Sequence, residues 1–164
     1  MHLKTVLLMD VLMLASFYAF RVFAGASATN IVISQWFLSF CLFFFLSLAL
    51  AKRVSELIKS NNIEKNNRAY RASDLNLLTQ LGISTGLIST LVLAFYVQSE
   101  NVKELYSYPS ALWTLSLVLI YWIARFWILV TRGKVEQDPV VFALKDKVTY
   151  LVCLLLIFII LLAR

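Results

Sequence analysis

Lys52, Arg53, Glu56 and Lys59 fall within eight residues, and Arg68, Tyr70, Arg71 and Asp74 follow shortly after. On a helix Lys52 and Glu56 are four apart and Lys59 three further, so these three share one face with Arg53 beside it. Six basic residues lie between positions 52 and 71. Such a group suits a phosphate or diphosphate, because arginine offers a rigid fork of donors and lysine a mobile point charge. The same charges suit a helix end anchored at anionic lipid, and charge alone leaves both readings open.

Asp10 and Arg21 lie within an apolar run, and an ionisable group at membrane depth is a functional candidate by default. Eleven residues bring Arg21 back to nearly the face of Asp10, but too far along the axis for the two to pair. Arg21 can also snorkel to the interface. Arg125, within YWIARFW, suits a cation–π contact, an interfacial anchor or the wall of a polar cavity. Trp36, Phe37, Phe40, Phe43, Phe44 and Phe45 point several ways around one helix, a pattern for lipid contact and packing, with a wall for a prenyl chain as the alternative. No nucleophile–histidine pair, P-loop or glycine-rich dinucleotide turn occurs, so hydrolase and nucleotide-fold readings gain no support. Cys41 and Cys153 lie in separate apolar runs and read as packing residues, not a disulfide framework or a CxxC metal pair.

The elements that carry these groups follow from composition. Of the 164 residues 61% are hydrophobic and only 15% charged, against roughly half and a quarter in an ordinary soluble domain. The charges are clumped, leaving stretches long enough to cross a bilayer. Four glycines and two prolines exclude collagen-like or disordered chains. An all-α, polytopic helical bundle of about five spans is expected, over residues 4–24, 31–59, 74–97, 109–131 and 140–163. The second is 29 residues long, roughly 43 Å of helix against a hydrocarbon core of roughly 30 Å, so its charged last turns must project into water. Ser73 reads as the N-cap of the third span, and Asp138-Pro139 as an N-cap followed by proline at the first helical position. Gly82 and Gly86 form a small-xxx-small pattern for close helix approach.

With five spans, eleven basic residues gather on the side holding the N-terminus and the long 60–73 loop, against three on the other side. That bias assigns the N-terminus and the loop to the cytoplasm. The net charge of +6 then reports topology, and a nucleic-acid partner is not expected.

Several segments resemble a known family. Met9-Asp10-Val11-Leu12 with the later Arg21 and Ala24-Gly25-Ala26 resembles part of the UbiA-type membrane prenyltransferases. FLSLALAKRVSEL (45–57), NRAYRASDLNLL (67–78) and DPVVFALKD (138–146) are more closely similar, to the branch that contains decaprenyl-phosphate phosphoribosyltransferase. The resemblance implies a nine-helix fold whose cavity opens to the cytoplasmic face of a bacterial plasma membrane, with two polar motifs and Mg²⁺ around a diphosphate. In that branch a polyprenyl phosphate attacks C1 of phosphoribosyl pyrophosphate, and pyrophosphate leaves. It further implies that Lys52, Arg53 and Glu56 stand in the place of the second acidic motif, and that Tyr70, Arg71 and Asp74 close over the donor's phosphates. Glu56 and Asp74 would be the catalytic acids, and Lys52, Arg53, Arg68, Tyr70 and Arg71 the phosphate ligands. The family's first motif, NDxxDxxxD, is not in this sequence, and Asn67 and Ala69 replace expected glycines. The expectation is therefore the C-terminal half of such a transferase, inactive alone, with most Mg²⁺ ligands supplied by an N-terminal partner. The alternative is a non-catalytic membrane subunit or lipid-binding helper assembled through the Gly82/Gly86 face.

Overall fold

A computed structural model of the chain describes residues 8–29, 34–59, 70–99, 102, 105–135 and 138–163. Its elements are α1 (Met9–Ala28), α2 (Gln35–Lys59), a 3₁₀ turn (Ala72–Asp74), α3 (Leu75–Val97), a second 3₁₀ turn (Pro109–Leu112), α4 (Trp113–Thr131), α5 (Pro139–Lys145) and α6 (Lys147–Ala163). All are helical: the all-α bundle expected from the patterning is present. Four segments are long and apolar enough to cross a membrane by themselves, and α5 with α6 would make a fifth, broken one.

Helix α2 is the hub, packing against α1, α3, α4 and α5. Its buried face reads Ser47, Leu48, Ala49, Leu50, Ala51, Val54 and Ser55, so small residues alternate with branched ones and neighbours come close. The seam with α3 and α4 shows why. A Cβ on Gly82 would lie 2.1 Å from the Trp127 ring, and one on Gly86 would lie 2.9 Å from Ile123 and 3.0 Å from the Ser47 hydroxyl. Ser47 donates to the Gly82 carbonyl at 2.7 Å and accepts from Trp127 Nε1 at 3.0 Å, so the polar atoms of the seam are satisfied away from water. Helix association in lipid relies on such close packing and interhelical hydrogen bonds. The Gly82/Gly86 face is thus filled from within the chain. The expectation that it assembles subunits is corrected, because Trp127 and Ile123 already occupy the space a partner helix would need.

Other boundaries differ for local reasons. The first span continues past Ala24 to Ala28, since the AGASA stretch is small but not helix-breaking. It ends where the Thr29 hydroxyl donates to the Gly25 and Ala26 carbonyls, both at 3.1 Å. Ser73 is not the N-cap of α3: it sits inside the 3₁₀ turn and donates to Asp74 at 3.2 Å. Asp138 does cap α5, accepting from the Val140 N–H at 3.1 Å ahead of Pro139.

The last span is not the continuous helix 140–163. It bends by 79° at Asp146, whose backbone is extended with φ −81° and ψ 119°. Asp146 then restarts the helix by accepting from the Thr149 N–H and hydroxyl, both at 3.0 Å. Arg125 of α4 holds the corner with two parallel bonds to Asp146, at 2.7 and 3.0 Å. That is the fork geometry only arginine supplies, a role for Arg125 that none of its three readings from the sequence named. Thr149 also accepts from Trp122 Nε1 at 3.0 Å, which ties the corner to the bundle.

Candidate functional site

Helices α1 and α2 run antiparallel, which brings the start of α1 beside the last turns of α2. Asp10 thereby meets Arg53: Oδ2 lies 2.6 Å from Nη2, and each side chain is only 11% exposed. The other Arg53 terminal nitrogen, Nη1, lies 2.5 Å from Glu56 Oε2, one helical turn on. Tyr70, the first described residue after α2, is buried and donates its hydroxyl proton to Asp10 Oδ1 at 2.7 Å. The Tyr70 hydroxyl oxygen in turn accepts from the backbone N–H of Leu8 at 2.8 Å. Leu8 takes a left-handed conformation, φ 63°, which is unfavourable for a residue with a side chain. The Tyr70 bond helps hold that turn at the entrance to α1.

These contacts form one chain, Tyr70–Asp10–Arg53–Glu56, linking three parts of the sequence. Arg53 Nε is buried and has no hydrogen-bond partner among the described residues. Burial, first, and then the hydrogen bond to Asp10 push the Tyr70 hydroxyl up to about 12, so the phenol stays a proton donor across the physiological range.

Lys52 faces a different neighbour. Its Nζ lies 2.6 Å from Oδ2 of Asp138, at the start of α5. This pair is more open than the Arg53 cluster, with side chains 33% and 27% exposed. Asp138 divides its oxygens: Oδ1 caps α5 and Oδ2 pairs with Lys52.

The structure thus brings together Arg53, Glu56 and Tyr70 of the expected site through Asp10, and pairs the neighbouring Lys52 with Asp138. Asp10, singled out in the sequence only as an intramembrane polar group, is the central acceptor of the cluster. Asp138 was legible as a helix cap and not as a partner of Lys52, because a separation of 86 residues carries no periodic signal. Arg71 and Asp74 do not join the cluster through any described bond. The Asp74 carboxylate accepts from the Arg71 N–H at 2.8 Å and from Ser73, closing a local exposed turn. The expected catalytic acid Asp74 is thus placed in a turn apart from the Arg53 cluster. Arg68 lies outside the described residues. Arg21 is exposed, 5.5 Å from the Tyr18 ring centre, and stands apart from the site.

A Mg²⁺ ion needs several oxygen ligands. No group of three or more His, Cys, Asp or Glu side chains suited to a metal occurs among the described residues. Asp10 and Glu56 both turn to the Arg53 guanidinium. The described residues therefore do not fit a divalent cation. Each donor of the arrangement is engaged by a carboxylate: Arg53 by Asp10 and Glu56, Tyr70 by Asp10, and the more open Lys52 by Asp138.

No protein-family model matches the chain, and no solved structure matches it. Two curated proteins are similar over nearly all of its length. The uncharacterized protein y4nM of Sinorhizobium fredii is 32% identical over 155 residues, which is 92% of this chain and 30% of that protein. The nodulation protein NoeC of Azorhizobium caulinodans is 30% identical over 153 residues, covering 90% of this chain and 48% of NoeC. The chain thus spans about a third of one relative and about half of the other.

Proposed function

We propose that the chain is the C-terminal part of a UbiA-like membrane transferase and supplies the basic half of a phosphate site. The reaction would be phosphoribosyl transfer from phosphoribosyl pyrophosphate to a polyprenyl phosphate. A phosphate oxygen of the lipid attacks C1 of the ribose, the bond from C1 to the pyrophosphate oxygen breaks, and pyrophosphate departs with the bonding electrons. Lys52 would take the charge that grows on the leaving group, while Asp10, Glu56 and Tyr70 would hold the Arg53 fork beside it as a fixed positive charge. The observation that carries this reading is the meeting of Arg53, Glu56 and Tyr70 through Asp10, with Lys52 next in sequence and paired with Asp138. On this reading that end faces the cytoplasm of a bacterium, in its plasma membrane. Similarity to a nodulation protein adds nodulation as the setting in which the activity would be used.

Because the described residues do not fit Mg²⁺, the reading places the cation-binding acids in an N-terminal segment that completes the site. The test is to co-express this chain with a membrane segment carrying an NDxxDxxxD motif and supply both substrates. Formation of polyprenyl phosphoribose phosphate that is lost in Lys52→Met supports the reading. Absence of product with both parts present in the membrane contradicts it.

A non-catalytic membrane subunit or lipid-binding helper is the second reading. One observation favours it: Arg53 and Lys52 are each already matched with carboxylates, as structural ion pairs are. It predicts that Lys52→Met leaves any transfer by the assembled protein unchanged.

A further inference from the structure

The two adjacent cations of the site are held in different ways. Arg53 is nearly enclosed and bonded on both terminal nitrogens, by Asp10 and by Glu56. Among the described residues Lys52 is paired with one carboxylate, Asp138 Oδ2 at 2.6 Å, and a third of its side chain is exposed. An incoming anion can therefore reach Lys52 without dismantling the cluster behind it. Lysine also suits exchange, since its ammonium rides on a flexible stem and can turn from one acceptor to another.

Asp138 is equally suited to let go. Its Oδ1 would keep the cap on α5 through Val140 while Oδ2 is released, and its own 27% exposure allows water to replace the ammonium. Its neighbour Pro139 is fully buried, so the backbone of this turn stays fixed while the ion pair exchanges.

We infer that Asp138 is an internal stand-in for a ligand phosphate: its carboxylate occupies Lys52 until a phosphate-bearing ligand displaces it. This rests on the reading of the polar end as a phosphate site and adds a built-in competitor to it. A phosphate monoester carries about −1.5 to −2 at neutral pH and has three acceptor oxygens, against one unit of charge on the carboxylate. It wins the ammonium when present, and Asp138 keeps the ammonium paired when it is absent. The competitor thereby raises the threshold for weaker anions such as chloride or free carboxylates.

The experiment measures binding of two probes to the full 164-residue chain. One is inorganic pyrophosphate, with the protein in detergent; the other is a polyprenyl monophosphate, with the protein in nanodiscs of zwitterionic lipid. Asp138→Asn keeps a good helix cap while removing the competing charge. It should tighten binding about tenfold, the scale of one charged hydrogen bond removed from the competition. Asp138→Ser, a second capping residue, should do the same and guards against a folding artefact peculiar to asparagine. Tightening for pyrophosphate alone assigns the site to a free diphosphate donor, and tightening for the lipid alone assigns it to a membrane-borne phosphate; both outcomes support the competitor. Unchanged affinity in both variants, with wild-type binding still lost in Lys52→Met, overturns the competitor and leaves the phosphate site standing. A gain that survives in the double variant Lys52→Met/Asp138→Asn also overturns it, since the freed ammonium was then not the cause. Absence of binding by every protein in both arms sinks the competitor and the phosphate site together.

Discussion

Two regions of α2 lie about two turns apart and work by opposite means. At Ser47 the helix faces Gly82, Gly86 and Trp127 across a dry seam, where shape decides everything and the few polar atoms pair with one another. At Lys52, Arg53 and Glu56 the same helix carries three charges whose partners come from the start of α1, from α2 itself and from the start of α5. The seam fixes where the helices stand, and the polar end uses that placement to bring distant charges within bonding distance. A substitution at the seam should therefore act on folding, and one at the polar end on charge balance.

The largest effect should come from the seam. Gly82→Leu drives a side chain into the Trp127 ring, where even a Cβ would lie at 2.1 Å. Overpacking of this kind costs about 1–3 kcal/mol or more, so monodisperse protein in detergent should fall sharply and its melting temperature with it. Retention of both would show that α3 and α4 approach less closely than described.

Next is Arg53→Met. It strands the Asp10 carboxylate, whose side chain is 11% exposed, beside Glu56 without a cation between them. Breaking one side of a buried pair costs about 3–5 kcal/mol, with the lower end expected here because Glu56 reaches water. Arg53→Lys should recover only part of the loss, because an ammonium cannot span both acids as the fork does. Full rescue by lysine would mean that a point charge is enough.

Tyr70→Phe removes one hydroxyl shared by Asp10 and Leu8 and should cost about 1 kcal/mol. Its pH dependence identifies the cause. The hydroxyl is pushed from its ordinary value of 10.0 up to about 12 in the folded protein. A group raised on folding contributes its full stability below the unfolded value and loses it as pH climbs through the folded one. The advantage of wild type over Tyr70→Phe should therefore be constant up to about pH 10, then fall and reverse as pH rises toward about 12. A difference that instead disappears in acid would place the effect on Asp10.

The smallest effect belongs to Arg21→Leu. This arginine is exposed and rests 5.5 Å from the Tyr18 ring, outside both regions. Stability should change by less than about 0.5 kcal/mol, as at most surface positions, and phosphate binding not at all.

How much of this was legible beforehand follows from the range of each signal. Apolar runs and caps are local, so the helices, the Asp138-Pro139 start of α5 and the shared face of Lys52 and Glu56 could be read directly. The bend at Asp146 was not, because its cause lies 21 residues away in the Arg125 fork. Gly82 and Gly86 announced a close approach without saying to what, and the answer, Trp127 and Ile123, lies in the same chain. Asp10 carried the warning of a carboxylate in an apolar run, yet its link to Arg53 and Tyr70 depends on α1 and α2 lying antiparallel. Asp74 and Arg71, close in sequence, are joined by a local turn whose bond runs from the Arg71 backbone and not from its guanidinium.

The central claim is that the polar end of the bundle, and not merely any cation on it, receives a phosphate. Pyrophosphate binding by the wild-type chain, Lys52→Met and Arg21→Leu, compared at one salt concentration, tests it most directly. The account predicts a loss of tenfold or more in Lys52→Met and wild-type affinity in Arg21→Leu. Equal losses in the two variants, or none in Lys52→Met, would contradict it.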